Sequence, residues 1–314
     1  MTVLLYMPDL WQPEVWRERL AQNLPDHRVV TRTDDYDPAE IRYACVWKPP
    51  AGMLAGFANL DVIFSLGAGV DHVLADPDLP DLPLVRIVDP DLTARMSEYV
   101  MLHVLRHHRR QPLYEEQQRR HQWIEHAQPV ASQVRVGVMG LGELGRDAAI
   151  KLKMMGFDVA GWSRTEKRED GIVTYARDDG LDDFLARTEI LVVLLPLTNE
   201  TAGIIDYRLL KKLAHDRVAE GPVLINAGRG GLQVEADILA ALDDGTLGAA
   251  TLDVFNEEPL AAESPFWDHP RVTITPHYAA SSSASALSAR IAAGISAFEA
   301  GQPLDHLVDR ERGY

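Results

Sequence analysis

Cysteine is nearly absent. Cys45 is the one thiol among 314 residues, so an intrachain disulfide is excluded. It lies in the strand-like run Tyr43-Ala44-Cys45-Val46-Trp47 and reads as a small buried apolar residue. Long apolar runs are missing too; none approaches the roughly 20 residues needed to span a bilayer, so no membrane partner is expected. The start, Met1-Thr2-Val3-Leu4-Leu5-Tyr6-Met7-Pro8, has no basic n-region and reads as a first strand rather than an export signal. A lone thiol without an export signal suits the cytoplasm. Positive charge is short: 31 Lys and Arg against 47 Asp and Glu leave a formal net charge of −16, which argues against a nucleic-acid partner. No Cys/His cluster and no His-Glu-x-x-His spacing points to a metal.

What is present is ordinary globular composition, 46% hydrophobic and 25% charged, in a chain long enough for two domain cores. Short β-branched runs alternate with helical patterns, which argues for parallel sheets covered by helices. The expected strands of a first set are Val3–Tyr6, His27–Thr31, Tyr43–Val46, Val62–Ser65 and Leu84–Val88, with a helix at Glu14–Leu20. One long helix is expected from Leu92 to His121, its stretch Arg106-His107-His108-Arg109-Arg110 forming a solvated face. A second set follows: Val134–Met139, Val159–Trp162, Ile172–Tyr175, Ile190–Leu195, Val223–Asn226, Ala249–Asp253 and Val272–Thr275. Helices at Glu143–Met155, Tyr207–Leu213, Glu235–Asp243 and Ala284–Ala300 interleave, and Ser281 to Ser283 read as a loop and N-cap. The expected fold is α/β, two doubly wound parallel-sheet units with a cleft between them.

Gly140-Leu141-Gly142-Glu143-Leu144-Gly145 is a G-x-G-x-x-G that follows a strand and opens a helix. The first glycine permits a tight turn, the second a close pyrophosphate, and the third close helix–strand packing. An NAD site usually carries Asp or Glu about 20 residues on. Here the sequence reads Trp162-Ser163-Arg164-Thr165, with Lys167 and Arg168 nearby. A carboxylate would repel a ribose 2′-phosphate, whereas a guanidinium binds it in a fork. NADP(H) is therefore expected to be preferred, with NAD(H) possible if Arg164 is only a tolerant surface residue.

Three segments place polar residues just past strand ends: Asn226-Ala227-Gly228-Arg229-Gly230, Asp253-Val254-Phe255-Asn256-Glu257-Glu258-Pro259, and Thr275-Pro276-His277-Tyr278. A histidine and a carboxylate in such segments can exchange a proton, and an arginine can bind an anion in a fork.

With the glycine motif upstream, these segments resemble the D-isomer-specific 2-hydroxyacid dehydrogenase family along the whole chain. Val46-Trp47-Lys48-Pro49-Pro50, Leu66-Gly67-Ala68-Gly69-Val70-Asp71 and Val308-Asp309-Arg310-Glu311-Arg312-Gly313-Tyr314 are most similar to its glyoxylate/hydroxypyruvate reductase A branch. The resemblance implies NADPH-preferring reduction of small 2-keto acids such as glyoxylate and hydroxypyruvate to 2-hydroxy acids. Arg229 would bind the substrate carboxylate, His277 would be the general acid, and Glu258 would hydrogen-bond His277. Cofactor contacts would come from Gly140, Gly142, Glu143, Leu144, Gly145, Ser163, Arg164, Thr165, Leu195, Pro196, Ala227 and Gly228. Asp253 would bond the nicotinamide carboxamide. Trp47, Lys48 and the backbone of Gly67, Ala68 and Gly69 would face the substrate with Arg229 and His277, although Trp47 also reads as plain core.

The resemblance further implies a homodimer, a substrate-binding, flavodoxin-like domain over 1–98 plus 282–314, and a dinucleotide-binding Rossmann domain over 99–281. Tyr278 and Met96-Ser97-Glu98-Tyr99 depart from the commonest family versions, which puts substrate identity in doubt rather than chemistry. A relative acting on bulkier 2-keto acids such as phenylpyruvate, or a nucleotide-sensing binding protein, are the rival readings. Sensing alone does not require an acid–base pair.

Overall fold

The computed structural model describes residues 1–216 and 221–314. The chain divides into two compact units, Met1–Leu92 with Ser281–Tyr314, and Thr93–Ala280. Among the described residues no helix is long and apolar enough to cross a membrane.

The first unit holds β1 (Thr2–Tyr6), α1 (Pro13–Asn23), β2 (Arg28–Thr31), β3 (Ile41–Val46), β4 (Val62–Ser65), α2 (Asp71–Leu74) and β5 (Leu84–Val85). Its five strands are parallel, in the order β2-β1-β3-β4-β5. Successive residues of a strand face opposite sides of a sheet. Val3, Leu5, Tyr43, Cys45, Val62 and Phe64 accordingly pack on one face, with Trp16 and Leu20 of α1. Leu4, Ala44, Val46 and Ile63 pack on the other with Leu54 and Val73. Both faces are covered, which is why these strands are apolar throughout. Cys45 is fully buried, and burial pushes its thiol up, so it is unreactive.

The second unit starts its sheet with β6 (Arg135–Met139), preceded by α3 (Pro90–His108) and α4 (Gln111–Arg119). There follow α5 (Glu143–Met154), β7 (Asp158–Ser163), β8 (Val173–Ala176), α6 (Leu181–Ala186), β9 (Ile190–Val193) and α7 (Tyr207–Lys211). The unit ends with β10 (Val223–Asn226), α8 (Glu235–Asp244), β11 (Ala249–Leu252) and β12 (Val272–Ile274). Its seven parallel strands run β12-β11-β10-β9-β6-β7-β8. One face buries Val136, Val138, Val192 and Ile225 against α3 and α5; the other buries Leu191, Val193, Leu224 and Leu252 against α6, α7 and α8. The chain then returns to the first unit as α9 (Ala284–Glu299), which Ser283 caps by accepting from the Ala286 amide at 3.2 Å. Leu287, Ile291 and Ile295 of α9 complete the face that α1 covers.

Three expectations need correction. The long helix over 92–121 is two helices: Arg110 takes a left-handed φ of +52°, and Pro112, with no N–H to give, lies in the first turn of α4. The strand expected over 84–88 stops at Val85, because the C-terminal segment takes over the pairing. Arg86 N donates to His306 O at 3.1 Å, and Val308 N to Leu84 O at 2.8 Å. The basic stretch of α3 is not simply a solvated face. His103 and His107 follow Met96, Tyr99, Val100 and Val104 at helical spacing; His103 is buried, and His107 Nε2 lies 2.9 Å from Thr251 Oγ1.

Burial, aided by nearby positive charge from Arg106, pushes both imidazoles down to about 4. Their native titration thus lies below that of an unfolded histidine at about 6.5. The stability they protect is whole above pH 6.5 and is lost as pH falls towards 4, because only the unfolded chain takes up protons in that window. The loss is on the order of 2 to 3 kcal/mol per imidazole once residual solvent screening is allowed for. Denaturant unfolding at pH 7.5 and pH 5 should show it, and His107→Gln should flatten the slope. Parallel pH curves for the variant and the parent would refute this account.

Candidate active site

The polar residues singled out in the second unit lie at the carboxyl ends of its parallel strands, where doubly wound sheets hold ligands. β6 lies between β9 and β7, so the strand order reverses there. At the end of β6, Gly140 has φ +108°, and a Cβ would lie 2.7 Å from Leu194 O. At Gly145 a Cβ would lie 1.8 Å from Gly140 O, so the first turn of α5 can close on the strand only through glycine. Gly142 differs: a Cβ there meets nothing within 4 Å. Protein packing does not require that glycine, but a pyrophosphate approaching the backbone would. Glu143 and Leu144 form the first turn of α5, whose leading amides have no intrahelical acceptor. A dinucleotide therefore fits this edge.

At the end of β7, Ser163 is buried and its hydroxyl donates to Thr165 O at 2.7 Å, folding the turn that carries Arg164. Arg164 Nη1 donates to Glu200 Oε2 at 3.0 Å. No carboxylate stands at positions 163–165. Leu195 and Pro196 follow β9, and Ala227 and Gly228 follow β10. Asn226, fully buried, pins the β10 loop: its Oδ1 accepts from Gly228 N at 3.1 Å, and its Nδ2 donates to Arg229 O at 3.2 Å and Gln233 Oε1 at 2.8 Å. Gln233 Nε2 then donates to Val254 O at 3.0 Å. The Arg229 loop is thereby tied to the loop that carries Glu258.

His277 and Glu258 meet directly, Nδ1 to Oε2 at 2.8 Å, both partly exposed. The carboxylate accepts, so Nδ1 carries a proton and Nε2 is the nitrogen left to exchange one. Glu258 Oε1 accepts from Phe255 N at 3.2 Å, which fixes the carboxylate. His277 has φ +53°, a conformation that non-glycine residues adopt at a cost of about 1–3 kcal/mol and that clusters at functional sites.

Asp253 holds that conformation. Its carbonyl accepts from His277 N at 2.8 Å. Its buried carboxylate accepts from Thr275 Oγ1 at 2.6 Å, Tyr278 N at 2.8 Å and Ala279 N at 3.0 Å. Behind it, Tyr99 Oη lies 2.8 Å from Thr275 Oγ1. A buried carboxylate with three donors is held firmly and in turn positions the histidine loop. The sequence marks Asp253 only by resemblance and assigns no site role to Asn226, Gln233, Tyr99, Thr275 or Glu200. A buried asparagine at a strand end was a readable signal for Asn226; the others carry none.

In the first unit, Trp47 follows β3 and is partly buried. Its ring stacks on Trp11 with centroids 5.1 Å apart and lies 4.4 Å from His72. It covers Gly67, where a Cβ would lie 2.1 Å from the indole. Trp47 is thus both core and wall of the Gly67-Ala68-Gly69 turn. Lys48 is exposed with φ +46°. Ser65 Oγ takes up the Gly67 amide at 3.3 Å and donates to Gly67 O at 3.1 Å. Among the described residues no group of three or more His, Cys, Asp or Glu could hold a metal ion.

Residues 101–279 match the family described as D-isomer specific 2-hydroxyacid dehydrogenase, NAD binding domain. A curated relative from Yersinia enterocolitica, named glyoxylate/hydroxypyruvate reductase A, is 40% identical over 100% of both chains. A solved structure from Sinorhizobium meliloti, an NADPH-dependent glyoxylate/hydroxypyruvate reductase in complex with NADP and sulfate, is 48% identical. It superposes with a TM-score of 0.94 over 100% of this chain and 99% of that one. A D-isomer specific 2-hydroxyacid dehydrogenase from Xanthobacter autotrophicus in complex with NADPH and MES is 41% identical, with a TM-score of 0.93 over 99% of each chain. Identity at this level along the full length, on the same two parallel sheets, makes the chain a member of the D-isomer specific 2-hydroxyacid dehydrogenase family.

Proposed function

We propose that the protein reduces small 2-keto acids, glyoxylate and hydroxypyruvate among them, to 2-hydroxy acids with NADPH as the preferred cofactor. The observation that carries this is the 2.8 Å pair of His277 Nδ1 and Glu258 Oε2, the latter on a loop tied through Gln233 to that of Arg229. A carboxylate-backed imidazole and an arginine at the ends of neighbouring strands are the equipment for protonating a carbonyl next to a carboxylate. NADPH, held along the Gly140–Gly145 turn, would supply the hydride. Arg229 holds the substrate carboxylate and draws electron density towards the keto oxygen. His277 Nε2 gives that oxygen its proton, and Glu258 stabilises the imidazolium and keeps the ring aimed. The active protein is a cytoplasmic homodimer.

A panel of 2-keto acids, followed by loss of NADPH absorbance, tests the reading. Glyoxylate and hydroxypyruvate should lead; phenylpyruvate turning over faster than both would redirect it to bulkier substrates.

The cofactor preference rests on Arg164. Arg164→Asp replaces a guanidinium by a group that repels phosphate and accepts from a ribose hydroxyl. NADPH efficiency should drop by about 10-fold or more, the worth of one charge-assisted hydrogen bond, while NADH efficiency rises. Equal NADPH kcat/KM in parent and variant would remove Arg164 from the site.

A further inference from the structure

The Arg164 guanidinium, the strongest phosphate-binding group on the turn after β7, is held by an acid of the protein itself. Glu200 Oε2 accepts from Arg164 Nη1 at 3.0 Å across 36 positions of sequence. Glu200 is 69% exposed and Arg164 38%, so the pair lies open to solvent and to an incoming ligand.

Glu200 does not reach Arg164 by chance of a floppy loop. The segment after β9 is knotted: Thr201 Oγ1 donates to Pro196 O at 2.7 Å and accepts from Thr198 N at 2.8 Å. Ala202 N and Thr201 N both close on Thr198 O, at 2.9 Å and 3.1 Å. These bonds fix the backbone on both sides of Glu200 and present its carboxylate to the β7 turn. A carboxylate and a ribose 2′-phosphate ask the same thing of a guanidinium, a planar pair of N–H donors to anionic oxygens.

We infer that Glu200 sets cofactor specificity by competing with the 2′-phosphate for Arg164. The proposal rests on the NADPH reading above. In the cofactor-free protein Glu200 occupies the guanidinium. NADPH must displace that carboxylate and then sit beside its charge, whereas NADH, with a neutral 2′-hydroxyl, leaves the pair intact. Glu200 therefore taxes NADPH selectively and narrows the gap between the two cofactors.

The test is direct titration of parent and Glu200→Gln protein with NADPH and with NADH, read by nucleotide fluorescence at low salt. Glutamine keeps the size and removes the charge, on an exposed position that the core does not need. The expected result is a Kd for NADPH lower by about two- to fivefold, the range of an exposed ion pair, with the NADH Kd unchanged. In an Arg164→Gln background the same substitution should gain much less, since there is no guanidinium to release. An NADPH Kd that stays the same or rises in Glu200→Gln overturns the competition and makes Glu200 a support for Arg164. A gain that persists in full without Arg164 also overturns it, because plain charge repulsion then accounts for the effect. If the parent binds NADPH no more tightly than NADH, the cofactor reading fails first and takes the proposal with it.

Discussion

His277→Gln should lower kcat for glyoxylate reduction by about 10²- to 10⁴-fold, the usual worth of a positioned general acid, while NADPH binding is preserved. The amide can hydrogen-bond the keto oxygen but cannot give it a proton. The prediction separates chemistry from folding because the loop is held from below, not by the imidazole. Asp253 accepts from the amides of Tyr278 and Ala279, and its carbonyl from that of residue 277. Loop geometry and the cofactor edge at Gly140–Gly145 should survive. Steady-state kinetics with fluorescence titration of NADPH decides the matter. A kcat within about threefold of the parent, with chemistry limiting, would show that another group donates the proton. Glu258→Gln should cost less than loss of the imidazole itself, because it removes the charge behind Nδ1 but leaves a partner there.

Arg229→Gln is expected to lose about 10²- to 10³-fold in kcat/KM for keto acids, the scale set by deleting one preorganised donor from a developing oxyanion. KM should rise as well, since the same fork holds the substrate carboxylate in the ground state. Arg229→Lys separates the two contributions. It keeps the charge and gives up the planar pair of donors, so it should recover only part of the loss. The Arg229 carbonyl accepts from Asn226 Nδ2 at 3.2 Å whatever the side chain, while Nη1 donates to Gly228 O at 2.9 Å, so circular dichroism and NADPH titration should accompany the kinetics of both variants. Kinetics on glyoxylate and on a keto substrate without a carboxylate provide the check. If Arg229→Gln loses equally on both, carboxylate recognition belongs elsewhere.

The groups behind both expected losses are marked in the sequence itself. Arg229, Glu258 and His277 each follow a short apolar run, and a run of that kind ends where its strand ends. The structure puts Val223–Asn226, Ala249–Leu252 and Val272–Ile274 side by side and parallel, so three distant sequence positions arrive at one edge. Gly140 and Gly145 were legible for the same reason. A strand-to-helix turn is a local event, and its steric demand for glycine is written in four or five consecutive residues.

What was illegible is what long-range packing decides. Tyr99 lies 176 positions from Thr275, and nothing in either segment announces that their hydroxyls meet behind Asp253. His107 reads as part of a solvated basic face because its neighbours in sequence are charged, and His103 stands one helical turn before it. Their burial follows from which side of α3 the sheet covers. Trp47 was ambiguous between core and substrate wall until Trp11 and His72 were found flanking it. Glu200 carried no signal at all, since its significance lies only in pointing at Arg164.

The sequence by itself determined the two parallel-sheet units, the glycine turn and the strand-end positions of Arg229, Glu258 and His277. Hydrophobic period, strand ends and turn sterics are short-range properties that a few adjacent residues fully specify. Only the tertiary structure decided which buried carboxylate holds the histidine loop, which imidazoles lose their water, and which acid faces Arg164. Those contacts join residues from separate elements, and their energies depend on burial and direction, which exist only once the sheets have formed.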